Sequence, residues 1–371
     1  MKLKPTWNKI REYCKIPTLI FLALALVSAL IHIASLFSPE FSDFFNRYAS
    51  SSVRGAFAAL TSVFPFSVAE TVIVLLPIAF ILLIISSFRE ASRGFSGGIR
   101  RITSLAGALS VLYSLFVFTT AVGYNGTPLS YKLGLDEKPV SVDELRDAAQ
   151  YMIDKMEEEL DSVTYVYGEG SVMPYSLGEL NALLLKACAD MSDEHTFFPR
   201  LNSRIKPIAL SEPMTYTHIS GMYTYYTGES NINVNFPDYN LPFTAAHELA
   251  HQRGILPENE ANFVAFLLCT KSDDPYIRYS GYLSMYEYLS TALYSADYDT
   301  FAELYTSLDA RVIGEITAYN NFFDKYRESI ASNVSGLMND TYLRAQGVDI
   351  GERSYGMVVD LACAYVAAQD K

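Results

Sequence analysis

Thr244-Ala245-Ala246-His247-Glu248-Leu249-Ala250-His251 is the stretch around which the chain is organised. It contains His-Glu-x-x-His. In a helix, positions i and i+4 lie on one face, so His247 and His251 can present two imidazoles to one metal ion. Glu248 sits beside them, where it can hold the water on that metal. Two histidine ligands with a glutamate base are what zinc-assisted hydrolysis needs. The chain has 5 His in 371 residues, and two fall here around a glutamate. Asn240-Leu241-Pro242-Phe243 reads as a loop leading into the helix, and residues 244–251 are good or tolerable helix formers. The bland alternative is a part-exposed helix with two incidental histidines.

A zinc site that keeps one position open needs a third protein ligand. The helix is expected to end near Gly254. Pro257 can then sit in the first turn of a second helix through Ala261, Phe263, Val264, Phe266, Leu267 and Leu268. That first turn offers Glu258 and Glu260. Glu260 is preferred as the metal ligand because it borders the apolar face of Ala261, Val264, Leu267 and Leu268, whereas Glu258 points farther round. Glu258 remains the alternative, and a pair of ordinary acids at a helix start is the structural one.

Upstream, Met222 to Tyr226 is strand-like, and Asn231 to Phe236 alternates polar and apolar residues. Period two with one apolar face suggests a sheet strand at a surface. Such an edge strand beside the site can take an extended peptide by β-augmentation. Tyr355, Tyr223 and His218 are the candidate donors to a developing oxyanion. Tyr355 and Asp360 are also candidates to orient a histidine. His195, in Asp193-Glu194-His195-Thr196, reads as an exposed turn.

Charge divides the chain. Residues 1–122 carry 11 Lys/Arg and 5 Asp/Glu, a balance of +6, and residues 123–371 carry 17 and 36, a balance of −19. The acidic part argues against nucleic acid as a partner, since phosphate binding wants a basic surface. Cys14, Cys188, Cys269 and Cys363 are far apart and read as buried hydrophobes, with no metal-ligand or disulfide pattern.

Three apolar runs, about 16–37, 69–87 and 102–122, are long enough to span a bilayer. The first follows Lys2, Lys4, Lys9, Arg11 and Lys15, and is too long for a signal-peptide core. Gly107, Ala108, Ser110 and Ser114 suit close helix packing in the third. Asp43 to Leu60 reads as an interfacial amphipathic helix. Arg89, Arg93, Arg100 and Arg101 between the second and third runs, with the basic N-terminus, mark the cytoplasmic side. Residues 123–371 are then expected outside the cytoplasmic membrane. Glu70 is expected to cap the second span, and His32 to pack against another helix; both keep a conceivable functional role. Ser141 with Glu144 and Ser176 with Glu179 are capping boxes that start helices. Further helices are expected after residue 270, with a short one about 339–345 and a last apolar one from Ser354.

These residues resemble a known family. Phe64-Pro65-Phe66-Ser67 with Glu70, Gly228-Glu229-Ser230-Asn231, His247 through Gly254, Glu258-Asn259-Glu260-Ala261-Asn262-Phe263, and Ser354-Tyr355-Gly356 through Asp360 are similar to the bacterial membrane proteins grouped as domain of unknown function 3810 (DUF3810). The resemblance spans almost the whole chain. It implies a membrane-anchored, zincin-like protein with His247, His251 and Glu260 as zinc ligands and Glu248 as base, and it implies no substrate. His218 lies outside the family's pattern. The chain also looks distantly like gluzincin peptidases, whose third ligand is a glutamate on a following helix.

The expected fold is therefore a membrane part of three transmembrane helices (1–122) followed by a mostly α, α+β zincin-like domain with a small sheet (123–371). The expected function is a membrane-anchored zinc peptidase acting on membrane-proximal polypeptides near the outer face of the membrane. The competing readings are a non-catalytic zinc-binding receptor or assembly factor, and a transporter component.

Overall fold

The computed structural model describes residues 13–136, 138–327 and 352–369. The chain is mostly helical, with two small sheets. Among the described residues, three helices are long and apolar enough to cross a membrane: α1 (Ile16–Phe37), α4 (Val68–Ala91) and α5 (Phe95–Thr119), with mean hydropathies of 2.5, 2.8 and 1.8. The third begins earlier than its apolar run at 102, because the helix takes in residues 95–101, Arg100 and Arg101 among them. Arg101 reaches back to the Ser87 hydroxyl (2.9 Å) and the Leu83 carbonyl (3.0 Å).

Small residues let α1 and α5 pack closely, as helices in lipid require. Gly107 faces Thr18, Ser110 and Ser114 are buried, and Ala108 points outward. The His32 ring lies 3.4 Å from the Tyr113 hydroxyl across the same seam. By contrast, every residue of α4 from Thr71 to Ile85 is exposed to the surroundings. A helix apolar all round is stable only if lipid or another apolar body covers it.

Between α1 and α4 runs one nearly continuous helical segment: α2 (Pro39–Phe45), a π-helical turn (Asn46–Ser50) and α3 (Ser51–Thr61). It buries its small and polar side (Ser42, Ser50, Ser51, Arg54, Ala58 and Thr61) and exposes Phe44, Tyr48 and Leu60. That is the polarity expected of a helix lying at an apolar interface with protein on its other side.

The C-terminal part is built on helices. Ser141 and Ser176 start α7 (Val142–Glu157) and α8 (Leu177–Glu194) with complete capping boxes. α6 (Leu129–Leu133) precedes them. After a short hairpin, β1 (Tyr165–Val166) with β2 (Gly170–Ser171), comes a three-stranded sheet of order β3 (Ile205–Pro207), β5 (Glu229–Ile232), β4 (Gly221–Thr224). α9 (Ser211–Thr215) falls between β3 and β4. β3 runs parallel to β5, and β4 antiparallel. The surface strand expected at 231–236 is thus displaced: β5 is central, all four of its residues are buried, and β3 and β4 are the edges. Two polar positions of the alternation, Asn231 and Asn233, are buried asparagines with partners, and Asn235 is half-buried. Asn231 Nδ2 donates to the Met222 carbonyl, and Asn233 Nδ2 to Thr215 Oγ1 and the Ile219 carbonyl, each at 3.1 Å.

α10 (Asn240–Gln252), α11 (Glu258–Thr270) and α12 (Pro275–Ala296) form the centre of the core, joined by α7 and by α15 (Glu352–Gln369). α13 (Tyr298–Ser307) and α14 (Ala310–Asp324) complete the described helices. All four cysteines are free and buried. The helix expected about 339–345 and the basic residues before 13 lie outside the described residues.

The boundary at 122/123 is bridged by buried polar contacts. Lys206, 1% exposed, donates to the Thr61 carbonyl (2.7 Å), the Phe66 carbonyl (3.0 Å) and the buried Glu229 carboxylate. Glu229 in turn accepts from Val68 N (3.1 Å) and Ala69 N (2.7 Å), so it caps α4 from another part of the chain. Ser67 supplies the local cap. Glu70, expected to do so, instead accepts from Ala209 N (2.9 Å) and Leu210 N (2.7 Å).

Removing one member of a buried pair strands the other charge, at a cost of about 3–5 kcal/mol. Lys206→Met is expected to lower the melting temperature of the full-length protein in detergent sharply, and Lys206→Met/Glu229→Gln to recover part of the loss. An unchanged melt in the single variant would refute the role given to this pair.

Candidate metal centre

α10 carries the His-Glu-x-x-His stretch, and its end is set by glycine chemistry. Gly254 has φ +94°, the left-handed conformation that glycine adopts without penalty. Gly254 N–H bonds to the His251 carbonyl (2.9 Å) and Ile255 N–H to the Ala250 carbonyl (3.1 Å), the two bonds of a Schellman motif. The turn brings the Ile255 carbonyl within 2.8 Å of His251 Nδ1. A carbonyl only accepts, so Nδ1 carries the proton and Nε2 faces outward.

Pro257 then caps α11, placing Glu258 at its first position. Glu258 Oε2 lies 3.2 Å from His247 Nε2 and 3.5 Å from His251 Nε2. The two imidazoles meet nearly edge-on, 4.5 Å between centroids. Among the described residues, these three form the group of side chains close enough to share a metal ion. A tetrahedral site with bonds of about 2.0–2.1 Å sets its donors about 3.3–3.4 Å apart. The two distances to Glu258 bracket that value.

The structure therefore brings Glu258, not Glu260, to the histidines. Glu260 Oε1 accepts from Leu129 N–H (2.8 Å) at the start of α6. The preference for Glu260 assumed one apolar face on α11. Instead Asn259, Ala261, Phe263, Val264, Ala265, Phe266, Leu268 and Cys269 are all buried, so the helix is wrapped nearly all round. With no single buried stripe, periodicity cannot say which first-turn acid faces α10; the Gly254 turn decides it.

Glu248 is buried beside the histidines. Burial pushes its carboxyl up from the usual range, against the pull of His247 and His251, and the Tyr223 backbone N–H bonds to it. Glu248 Oε2 and His247 Nδ1 are buried without a hydrogen-bond partner among the described residues. A carboxylate oxygen and an imidazole nitrogen left so at one site are what a bound water and an outer ligand shell satisfy. Gly221, at the start of β4, presses on the same carboxylate: a Cβ there would stand 2.5 Å from Glu248 Oε1 and 2.8 Å from its Cγ. An isolated glycine at a strand start is the only local signal of Gly221 in the sequence. Ser230 on β5 locks the helix to the sheet by donating to the Glu248 backbone carbonyl (2.9 Å).

The other candidates fall differently. Tyr223 lies on β4, with its side chain in electrostatic reach of Arg54. His218, at φ +59°, has Nε2 2.8 Å from the Tyr326 carbonyl and packs on Phe323, outside the histidine–glutamate group. Asp360 lines a surface cleft with Ser130, Tyr131 and Lys138. The Tyr355 side chain lies outside the described residues. His195 packs against Phe197.

The family described as "Protein of unknown function (DUF3810)" matches residues 45–363. The chain belongs to the DUF3810 family. The match takes in α3 to α14, most of α15 and the whole His247–His251–Glu258 group, and begins one residue before the π-helical turn. No curated protein and no solved structure matches this DUF3810 chain.

Without a metal the three side chains hold one another by charge. Burial would depress the His251 imidazolium, but Glu258 raises it to about 9, and the imidazoles hold the carboxyl of the half-buried Glu258 well below its usual range. A histidine raised from 6.5 gives stability that is complete below about pH 6.5 and lost as pH climbs to about 9. Metal-free protein is expected to melt lower at pH 9 than at pH 6.5, and Glu258→Gln to flatten that slope. A flat wild-type profile would remove the ion pair from the account.

Proposed function

We propose that this DUF3810 protein is a membrane-anchored zinc peptidase of zincin-like character, with His247, His251 and Glu258 as metal ligands and Glu248 as general base. The observation that carries the reading is the Nε2–Oε2 spacing of the ligand set, with an unpartnered buried carboxylate oxygen beside it. Bound there, zinc supplies Lewis acidity to a substrate carbonyl and to water. The chain's own groups do the rest. Glu248 takes the proton from the attacking water and delivers it to the leaving amine, a role suited by a carboxyl raised through burial. Its Oε1 is held against Gly221, so the base has little freedom to swing. β4, the edge strand beside α10, offers backbone for an extended peptide, and this supports a polypeptide as substrate.

Basic residues precede the first span and join the second to the third, which supports a cytoplasmic N-terminus and a C-terminal part outside. The site then sits at the outer face, and a membrane-proximal polypeptide is the substrate class within reach.

Full-length protein purified in detergent is expected to hold roughly one zinc per chain. His247→Ala, His251→Ala and Glu258→Gln should lose it, while Glu260→Gln should keep it. Zinc absent from folded wild type would sink this reading. Glu248→Gln should retain the metal yet lose hydrolysis of unfolded polypeptide by about 10²–10⁴-fold. Zinc without hydrolysis in the wild type favours a binding role instead.

Gly221→Ala is expected to retain zinc and to lower turnover with little change in KM, because the added methyl displaces the base and not the ligands. Wild-type turnover in that variant would deny Gly221 its positioning role.

A further inference from the structure

We infer that Asn46 and Arg54, on the membrane-proximal helical segment, are positioning residues of the metal centre: they clamp the Gly254–Ile255 turn and through it set the His251 imidazole. This rests on the metal reading above and adds that the site's geometry is fixed from the membrane side.

The π-helical turn Asn46–Ser50 interrupts an otherwise α-helical run, a feature often found at functional sites. Asn46 and Arg54 converge on one glycine. Asn46 Nδ2 donates to the Gly254 carbonyl (3.0 Å). Arg54 Nη2 stands so close to Gly254 that a Cβ there would collide with it. Arg54 Nη1 donates to the Thr119 carbonyl at the end of α5 (3.0 Å), and Nη2 to the Asn46 carbonyl (3.3 Å). A Cβ on Gly123 would lie 2.5 Å from Leu256 Cδ2 and 3.3 Å from the Gly254 carbonyl oxygen, so a second segment packs closely on the turn.

Arg54 is 1% exposed, and no carboxylate pairs with it among the described residues. A buried cation without a counter-charge is costly. The Thr119 carbonyl at the C-terminal end of α5 and the Asn46 carbonyl offset that cost, the first because a helix C-terminus carries negative partial charge. Simple anchoring would be served by apolar contact. The guanidinium instead binds the carbonyl of Asn46, whose side chain holds the Gly254 carbonyl, and the next carbonyl along, that of Ile255, accepts the His251 Nδ1 proton. Glu258 follows three residues later. A shift of this turn therefore moves one ligand's hydrogen-bond acceptor and another ligand's backbone together.

The test uses full-length protein in detergent, with zinc affinity measured by chelator competition and the His251 Nδ1 proton followed by NMR on ¹⁵N-histidine-labelled protein. Asn46→Ala and Arg54→Lys are compared with Asp43→Asn, which breaks the Asp43–Lys132 pair (2.8 Å) elsewhere in the same seam. The expected result is zinc binding weaker by about tenfold or more in both clamp variants, with loss of the protected Nδ1 proton signal. Asp43→Asn should leave both readouts unchanged at a similar drop in melting temperature. Affinity and Nδ1 signal in the clamp variants no different from those of Asp43→Asn would overturn the inference. If Arg54→Lys fails to fold, Asn46→Ala decides alone. If wild type binds no zinc, the metal reading falls, and an Nδ1 proton that survives Asn46→Ala overturns the clamp as well.

Discussion

One left-handed residue governs the geometry of the site. A helix ends where its last carbonyls find other donors, and the Schellman turn at Gly254 provides them within three residues. The same turn reverses the chain so that α11 starts beside α10. It also points the Ile255 carbonyl at His251 Nδ1. The tautomer of one histidine and the approach of Glu258 thus follow from a single backbone conformation. An L-residue at 254 would be strained there, and its Cβ would meet Arg54.

Buried charge is concentrated where the membrane-proximal segment meets the C-terminal part, and each instance is compensated differently. Lys206 and Glu229 neutralise one another and use their remaining capacity on backbone groups of the 61–69 stretch. Arg54 is met by carbonyls, with no carboxylate paired to it among the described residues. Glu258, only half-buried, is balanced by two imidazoles. Such groups add little net stability compared with apolar packing, because desolvation offsets the attraction. What they add is direction: each admits few geometries, and together they fix how the helices above and below the seam face one another.

The three apolar helices are not equivalent. α1 and α5 form a packed pair through Gly107, Ser110 and Ser114, whereas α4 touches protein mainly at its ends. α4 is held by Glu229 and Glu70 at one end and by Arg101 at the other. A helix pinned in this way keeps its position without a packed partner along its length, leaving its apolar surface to the bilayer.

The sequence by itself determined the three apolar spans, the two capping boxes, the buried cysteines and the helix bearing His247 and His251. Each of these depends on local spacing: hydropathy over twenty residues, Ser-x-x-Glu, or the i, i+4 face of a helix. Family membership was legible for the same reason, in short motifs kept in order. Tertiary structure alone decided which glutamate meets the histidines, because α11 is buried nearly all round and the Gly254 turn sets its rotation. It alone made Glu229–Ile232 the central strand, because buried asparagines paid for by hydrogen bonds look polar in sequence. It alone placed Gly221 against Glu248, and Asn46 and Arg54 against Gly254, because those contacts join residues far apart in the chain and leave no local pattern.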